Sequence, residues 1–141
     1  MKRILPFVFL LSVSTAAQSE DTAPLTLADH AQARIIGSLC SVVFSEAEKQ
    51  QDVAYEVEKK MHGIMLTDHD ILLVETLEDP VDRAAIEYVS MLEVAKLMSQ
   101  IIANPDEFVG ECRLKSHNIG YRIHQQVDAM GLTPAGKRYN Q

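Results

Sequence analysis

The chain has 141 residues, of which 20 are acidic and 13 basic, so its formal net charge is −7 at pH 7. A chain of this length supports one domain with one hydrophobic core. The acidic charge argues against nucleic acid and anionic lipid as binding partners and favours a basic protein.

The first seventeen residues have the pattern of a secretory signal peptide. Lys2 and Arg3 precede the apolar run 4–11, and small residues then lead to Ala17. The apolar run is shorter than the roughly 20 residues that span a bilayer. We therefore predict cleavage of residues 1–17, export to the periplasm, and no membrane span in the mature chain.

The mature chain, residues 18–141, is expected to form a single helical domain with an ordered core at about residues 26–132. Loss of two basic residues leaves 11 of the 13 against 20 acidic residues, so the net charge becomes −9. Two cysteines remain, Cys40 and Cys112. In an oxidising compartment such a pair predicts a disulfide, and two buried free thiols are the alternative.

Capping signals and apolar spacing predict separate helices in the first half of the chain. The first helix begins at Thr26, with Asp29 as its capping partner, and ends near Phe44. The second begins at the capping box Ser45-x-x-Glu48 and ends near Leu66. Its apolar stripe is expected to be buried and consists of Ala54, Val57, Met61, Ile64 and Met65.

A short third helix is predicted from the capping pattern Thr67-x-x-Asp70 through the apolar run 71–74, stopping by Glu78. A strand is the alternative for this run, but its cap and its position in a helical chain favour a helix.

Asp79-Pro80 predicts the start of a long helix, because Asp is a good N-cap and Pro suits the first helical position. Apolar residues recur along this helix at spacings of three and four, and further apolar residues flank them. We therefore place this helix at the centre of the bundle. The recurring residues are Ala85, Tyr88, Leu92, Ala95, Ser99 and Ile102.

Asn104-Pro105 separates this helix from the last one, whose apolar residues again recur at helical spacing. Gly120 is expected to allow close approach of another helix, and Gly131 to end the last helix. The predicted fold is all-α. It is a bundle of four to five helices in which the disulfide joins the first helix to the last.

The sequence offers no pattern for catalysis. It has no Gly-x-Ser-x-Gly elbow and no Gly-rich phosphate loop. Met61 and Met65, with His62 between them, are compatible with a copper or haem ligand set, but core packing is the favoured interpretation of methionines at helical spacing. The histidines lack the tight spacing of a metal site. We therefore predict no enzyme activity, no cofactor and no metal; the histidines are His30, His62, His69, His117 and His124.

An acidic, proline-stiffened segment in the middle of the chain is the candidate binding site. A preset acidic corner can dock into a basic groove at little entropic cost. An ordinary helix–helix turn with an Asp-Pro cap is the alternative. The predicted partner-binding residues are Glu75, Glu78, Asp79, Asp82, Glu87 and Tyr88.

Three stretches carry a resemblance to a known family: the signal peptide 1–17, Gly37-Ser38-Leu39-Cys40 and Glu111-Cys112-Arg113. With them, the chain resembles the small periplasmic immunity proteins that protect bacteria against their own type VI-secreted peptidoglycan hydrolases. The resemblance implies an exported helical protein with a disulfide, homodimer formation, and binding to a cognate secreted effector. The implied mechanism is occlusion of the active-site cleft of a muramidase or amidase.

Other classes of function remain open. A periplasmic chaperone or stress protein would expose apolar surface and bind many partners. A cofactor-binding helical bundle would purify with bound metal or with colour. A cell-envelope structural adaptor is also compatible with the sequence.

Overall fold

The computed structural model describes residues 24–132, and within that range the chain forms four helices and no strand. They are α1 (Leu27–Gln51), α2 (residues 56–74), α3 (Pro80–Ala103) and α4 (Asp106–Met130). The predicted all-α bundle is confirmed, as is the disulfide between the first and last helices, whose Cα atoms lie 5.6 Å apart. The predicted signal peptide, residues 1–17, lies outside the described residues. No helix between residues 24 and 132 is long and apolar enough to cross a membrane.

The first helix begins where the sequence predicts and ends later. Thr26 and Asp29 form a capping box, with backbone-to-side-chain hydrogen bonds of 2.9 and 3.1 Å. The predicted end near Phe44 and the new start at Ser45-x-x-Glu48 are wrong, because α1 continues to Gln51. Phe44 and Ala47 are both fully buried, so core packing carries the helix through a sequence that also has the pattern of a cap. The helix ends at Asp52, which has a φ of 56°.

The centre of the bundle is α1, and the prediction that α3 holds this place is wrong. Thirteen residues of α1 are buried, and α1 packs against each of the other three helices. Only four residues of α3 are buried: Ile86, Ser90, Leu97 and Ile101. They lie on the opposite side of α3 from the predicted stripe, so that stripe faces outward.

A close crossing joins α1 to α2. A Cβ added to Gly37 would lie 2.2 Å from Oγ1 of Thr67, and one added to Gly63 would lie 2.9 Å from the Cα of Ser41. Both helices therefore approach each other at positions where only glycine leaves room. The close approach predicted at Gly120 is absent, since a Cβ there would meet its nearest neighbour at 3.9 Å.

The second helix is continuous across the break that the sequence predicts near Thr67. It consists of a short α-helical segment, Glu56–Lys59, a π-helical turn, Lys60–Ile64, and a longer α-helical segment, Met65–Val74. The predicted buried stripe is wrong: Ala54 lies before the helix, and Val57, Met61, Ile64 and Met65 are all exposed. The π turn takes more residues per turn, which changes the face that the following residues present. The buried residues of α2 are instead Gly63, Leu66, Asp70 and 72–74.

The last helix ends as predicted. Gly131 has a φ of 65°, and the backbone N–H of buried Leu132 donates to the carbonyl of Val127 at 3.1 Å. Arg122 of α4 forms a two-bond ion pair with Asp29 of α1, at 3.2 and 3.3 Å, and both side chains are buried. Burial raises the pKa of Asp29, but the Thr26 backbone hydrogen bond and Arg122 together hold it below its usual value.

Candidate protein-binding surface

The six predicted partner-binding residues lie in the turn between α2 and α3 and in the first turns of α3. Asp82 is half-buried and the other five are exposed. Glu75, Glu78, Asp79 and Asp82 fall within eight consecutive residues around this turn, and we call these four the acidic corner. Its carboxylates therefore face solvent as one negatively charged feature.

The acidic corner is held in shape by its own hydrogen bonds. The carboxylate of Asp79 accepts from the backbone N–H of Val81 at 2.8 Å and so caps α3. The hydroxyl of Thr76 donates to the carbonyl of Leu73 at 2.6 Å, and Arg83 donates to the carbonyl of Leu77. A turn fixed in this way has little entropy left to lose when a partner binds.

The structure separates the other two predicted residues from the acidic corner. Glu87 turns toward α1, where its Oε2 lies 3.7 Å from Nη1 of Arg34. Tyr88 lies on the outer side of α3 and is 60% exposed. Glu87 therefore belongs to the contact between α1 and α3, and Tyr88 to a second, apolar surface.

That second surface is the predicted stripe of α3, with Val81 added at its start. Val81 is 71% exposed and Leu92 is 44% exposed, and no residue of the stripe is buried. The spacing alternates strictly between four and three residues, which is the pattern of a helix that packs along another helix. We call this set the α3 seam: Val81, Ala85, Tyr88, Leu92, Ala95, Ser99 and Ile102.

The α3 seam is long for an exposed apolar surface on a small domain. At 1.5 Å per residue, its 21 steps along the helix extend about 32 Å. Met91 and Val89, also exposed, lie on either side of it. An exposed apolar stripe of this length is therefore a candidate surface for contact with another protein.

A buried polar cluster links α1 to α2 and was not predicted. Nδ1 of His30 lies 2.7 Å from Oδ1 of Asp70, and Nε of Arg34 lies 3.1 Å from Oδ2, although not in line for a hydrogen bond. Burial raises the pKa of Asp70, and the contacts with His30 and Arg34 only partly oppose this. All three residues are buried, and their contacts join α1 to α2. The sequence signal was the i, i+4 spacing of His30 and Arg34.

A groove between α2 and α4 collects the remaining histidines. Contacts between Glu58 and Arg113, and between His69 and His124, keep the same offset of 55 residues, so the two helices run side by side in the same direction. The groove has a volume of about 340 Å³. Its sulfur and imidazole side chains are Met61, His62, Met65, His69, His117 and His124.

The histidines of this groove occupy different environments. Oγ of Ser116 lies 2.6 Å from Nδ1 of His62, and Nδ1 of His124 lies 3.4 Å from Nδ1 of His69. Burial lowers the pKa of His62, and burial together with the neighbouring His124 lowers the pKa of His69. Within residues 24–132, no three His, Cys, Asp or Glu side chains are grouped around a metal position.

The methionines of the groove correct a further expectation. Met61 is 54% exposed and Met65 is 40% exposed, so the interpretation that they pack in the core is wrong. The two methionines and the four groove histidines could be noted from the sequence. The parallel pairing of α2 with α4, which brings them together, could not be predicted from it.

Comparison of the chain with protein-family models, with curated proteins and with solved structures found no match. The features of the molecule are therefore taken from its own fold and surfaces. They describe a disulfide-linked helical bundle with an acidic corner, an exposed apolar seam and a groove lined with histidine and methionine.

Proposed function

We propose that this protein is a periplasmic immunity protein that binds a basic exported toxin, a peptidoglycan hydrolase, and closes its active-site cleft. The observation that supports the proposal best is the acidic corner. Three of its four acidic residues are exposed and Asp82 is half-buried, and hydrogen bonds of Asp79, Thr76 and Arg83 fix the turn that carries them. The choice of a peptidoglycan hydrolase as the target rests on the family resemblance.

Inhibition of this kind needs no chemistry from the inhibitor. A rigid acidic projection enters a cleft lined with cationic groups and keeps the glycan or peptide substrate out. Charge complementarity between the two proteins raises the rate of association, and salt weakens this effect because it screens exposed charges. The chaperone alternative would require broad binding, whereas a fixed corner with one sign of charge favours one class of partner.

We further propose that the α3 seam forms the interface of a homodimer. In an antiparallel pair of α3 helices with the twofold axis between Leu92 and Ala95, the three large seam residues Tyr88, Leu92 and Ile102 each lie opposite a small one. Leu92 meets Ala95, Tyr88 meets Ser99, and Ile102 meets Ala85. Such large-to-small alternation is what lets two helices pack without voids.

The antiparallel arrangement also has an electrostatic advantage. It places the two acidic corners at opposite ends of the paired helices, whereas a parallel pair would bring them side by side. The corners therefore stay free, and each would bind one toxin molecule.

The first test of the function is survival of a deletion strain in contact with wild-type sister cells whose secretion system is active. We expect lysis of the mutant and rescue by the exported wild-type protein. Survival of the mutant under these conditions would reject the immunity function.

The surface is tested with a pair of charge reversals. The variant Glu78→Lys should fail to rescue and should associate with the captured toxin more slowly than wild type. The matched control, Glu56→Lys, changes the net charge equally at an exposed position at the other end of α2 from the corner. Equal rescue and equal association rates for both variants would show that the corner is not the binding surface.

The dimer is tested by sedimentation equilibrium. Leu92→Glu should convert the dimer to a monomer, because it places a charge in the middle of the seam. Leu114→Glu alters another exposed leucine, on α4, and should leave the dimer intact. A wild-type protein that is monomeric at concentrations of tens of micromolar would contradict the seam as a dimer interface.

A further inference from the structure

The groove between α2 and α4 has a chemical character that the proposed function does not use. The domain carries five histidines, and four of them line this one groove together with two methionines. Buried methionine fills gaps in a core, but these two are exposed at the surface of the groove. The π-helical turn Lys60–Ile64 lies beside them, and such turns occur often at functional sites.

The distance between two imidazole nitrogens is the most specific observation. Nδ1 of His69 and Nδ1 of His124 face each other at 3.4 Å. Two ligand atoms at 2.0–2.1 Å from one tetrahedral ion lie about 3.3 Å apart. The pair therefore already has the separation of two nitrogens that share a metal ion.

A carboxylate also lies near the other ring nitrogen of His124. Oδ2 of Asp128 lies 3.6 Å from its Nε2, which is an ion-pair distance and too long for a hydrogen bond. The negative charge of this carboxylate favours the tautomer with the proton on Nε2, which leaves the Nδ1 lone pair available to a metal ion. Metal-binding histidines commonly have such a carboxylate partner.

A third donor comes from the turn of α2 before His69. Met65 precedes His69 by four residues, so both side chains lie on one face of the helix, and both line the groove. His62 is not part of this set, since its Nδ1 already contacts Ser116. Thioether sulfur with imidazole nitrogen is a soft donor set, which selects Cu(I) over hard cations such as Mg²⁺ and Ca²⁺.

We propose that the groove binds one soft monovalent metal ion, Cu(I), through His69, His124 and Met65, with Asp128 orienting His124. The site is separate from the acidic corner and the α3 seam. It does not depend on the proposed function, and its failure would leave that function untouched.

The test is a titration of the exported, disulfide-bonded protein with Ag(I) and with Cu(I) held reduced by ascorbate. Ag(I) has the same preference for soft ligands and needs no reductant. We expect one ion per chain in native mass spectrometry. In the wild-type protein, Ag(I) should shift the methyl resonance of Met65 and the ring nitrogen resonances of His69 and His124, which requires no variant to fold.

Variants then assign the ligands. His69→Gln/His124→Gln should lose more affinity than the roughly 10–100-fold that removal of a supporting group causes, and Asp128→Asn should fall within that range. Met65→Leu should weaken Ag(I) and Cu(I) binding and leave Zn²⁺ binding unchanged. Met91→Leu, at an exposed methionine on α3, is the matched control and should have no effect.

Three results would overturn the proposal. The first is an absence of Ag(I) and Cu(I) binding by the wild-type protein. The second is equal affinity in the double histidine variant. The third is tighter binding of Zn²⁺ than of Cu(I), because a soft donor set cannot produce that order.

Discussion

Replacing Gly63 with alanine should destabilise the protein, although the same change inside a helix normally stabilises. Alanine favours a helix over glycine by about 1 kcal/mol. At Gly63 the new Cβ would lie 2.3 Å from Oγ of Ser41 and 2.9 Å from the backbone N and Cα of the same residue. The hydroxyl can rotate away, but the backbone cannot, so α1 and α2 must separate.

The magnitude follows from the balance of these two effects. Overpacking that shifts a backbone costs typically about 1–3 kcal/mol, and contact with backbone atoms places Gly63 at the upper end. After the gain in helix propensity, a net loss of about 1–2 kcal/mol remains. For a domain of this size, that corresponds to a fall in Tm of about 4–8 °C.

Gly110 of α4 provides the matched control. A Cβ added there has nothing within 4 Å, so Gly110→Ala keeps the gain in helix propensity and should raise Tm by about 4 °C. Thermal unfolding of both variants, followed by circular dichroism at neutral pH with the disulfide intact, measures the difference. A Gly63→Ala variant that is stabilised as much as Gly110→Ala would refute the close crossing of α1 and α2.

Three further predictions concern the covalent and ionic links between α1 and α4. Replacement of Cys40 and Cys112 by serine opens a loop with a sequence separation of 72. It should lower the free energy of unfolding by about 4 kcal/mol, measured by urea denaturation. An unchanged urea midpoint would contradict this prediction. Arg122→Met removes the cation that pairs with the buried carboxylate of Asp29 and should cost about 3 kcal/mol. A loss below about 1 kcal/mol would mean that the pair is solvated. The pKa of Asp29 is lower in the folded state than in the unfolded state. The stability that Asp29 contributes is therefore fully present above its unfolded pKa of about 3.9, and it is lost as the pH falls through its folded pKa. The difference in Tm between wild type and Arg122→Met should therefore shrink as pH is lowered from 6 to 2, and a constant difference would argue against this linkage.

The ends of three helices could be predicted from the sequence because they depend on local hydrogen bonds. The Thr26–Asp29 capping box, the Asp79 cap of α3 and the positive φ of Gly131 each involve residues within a few positions of one another. The acidic corner belongs to this class as well. A charged turn beside a proline cap stays at the surface in almost any arrangement of the helices around it.

The remaining boundaries were mispredicted where a local signal competed with burial. Ser45-x-x-Glu48 has the pattern of a cap, but Phe44 and Ala47 fill the core from a helix that continues past it. The same happens at Thr67, where the helix continues because Leu66 and Asp70 are both buried against neighbouring helices. A capping pattern permits a helix to start, and only the packing of distant residues decides whether it does.

The sequence by itself determined that the chain is helical, which residues of α3 share a face, and that the corner before it is acidic. Tertiary structure alone decided which face of each helix is buried. The periodicity of α3 identifies the α3 seam but does not distinguish a core contact from an exposed one, since both bury apolar side chains against another helix. The groove between α2 and α4 depends still more on tertiary structure. Its histidines and methionines are brought together only by the pairing of helices that lie 55 residues apart in the chain, and no local pattern encodes that distance.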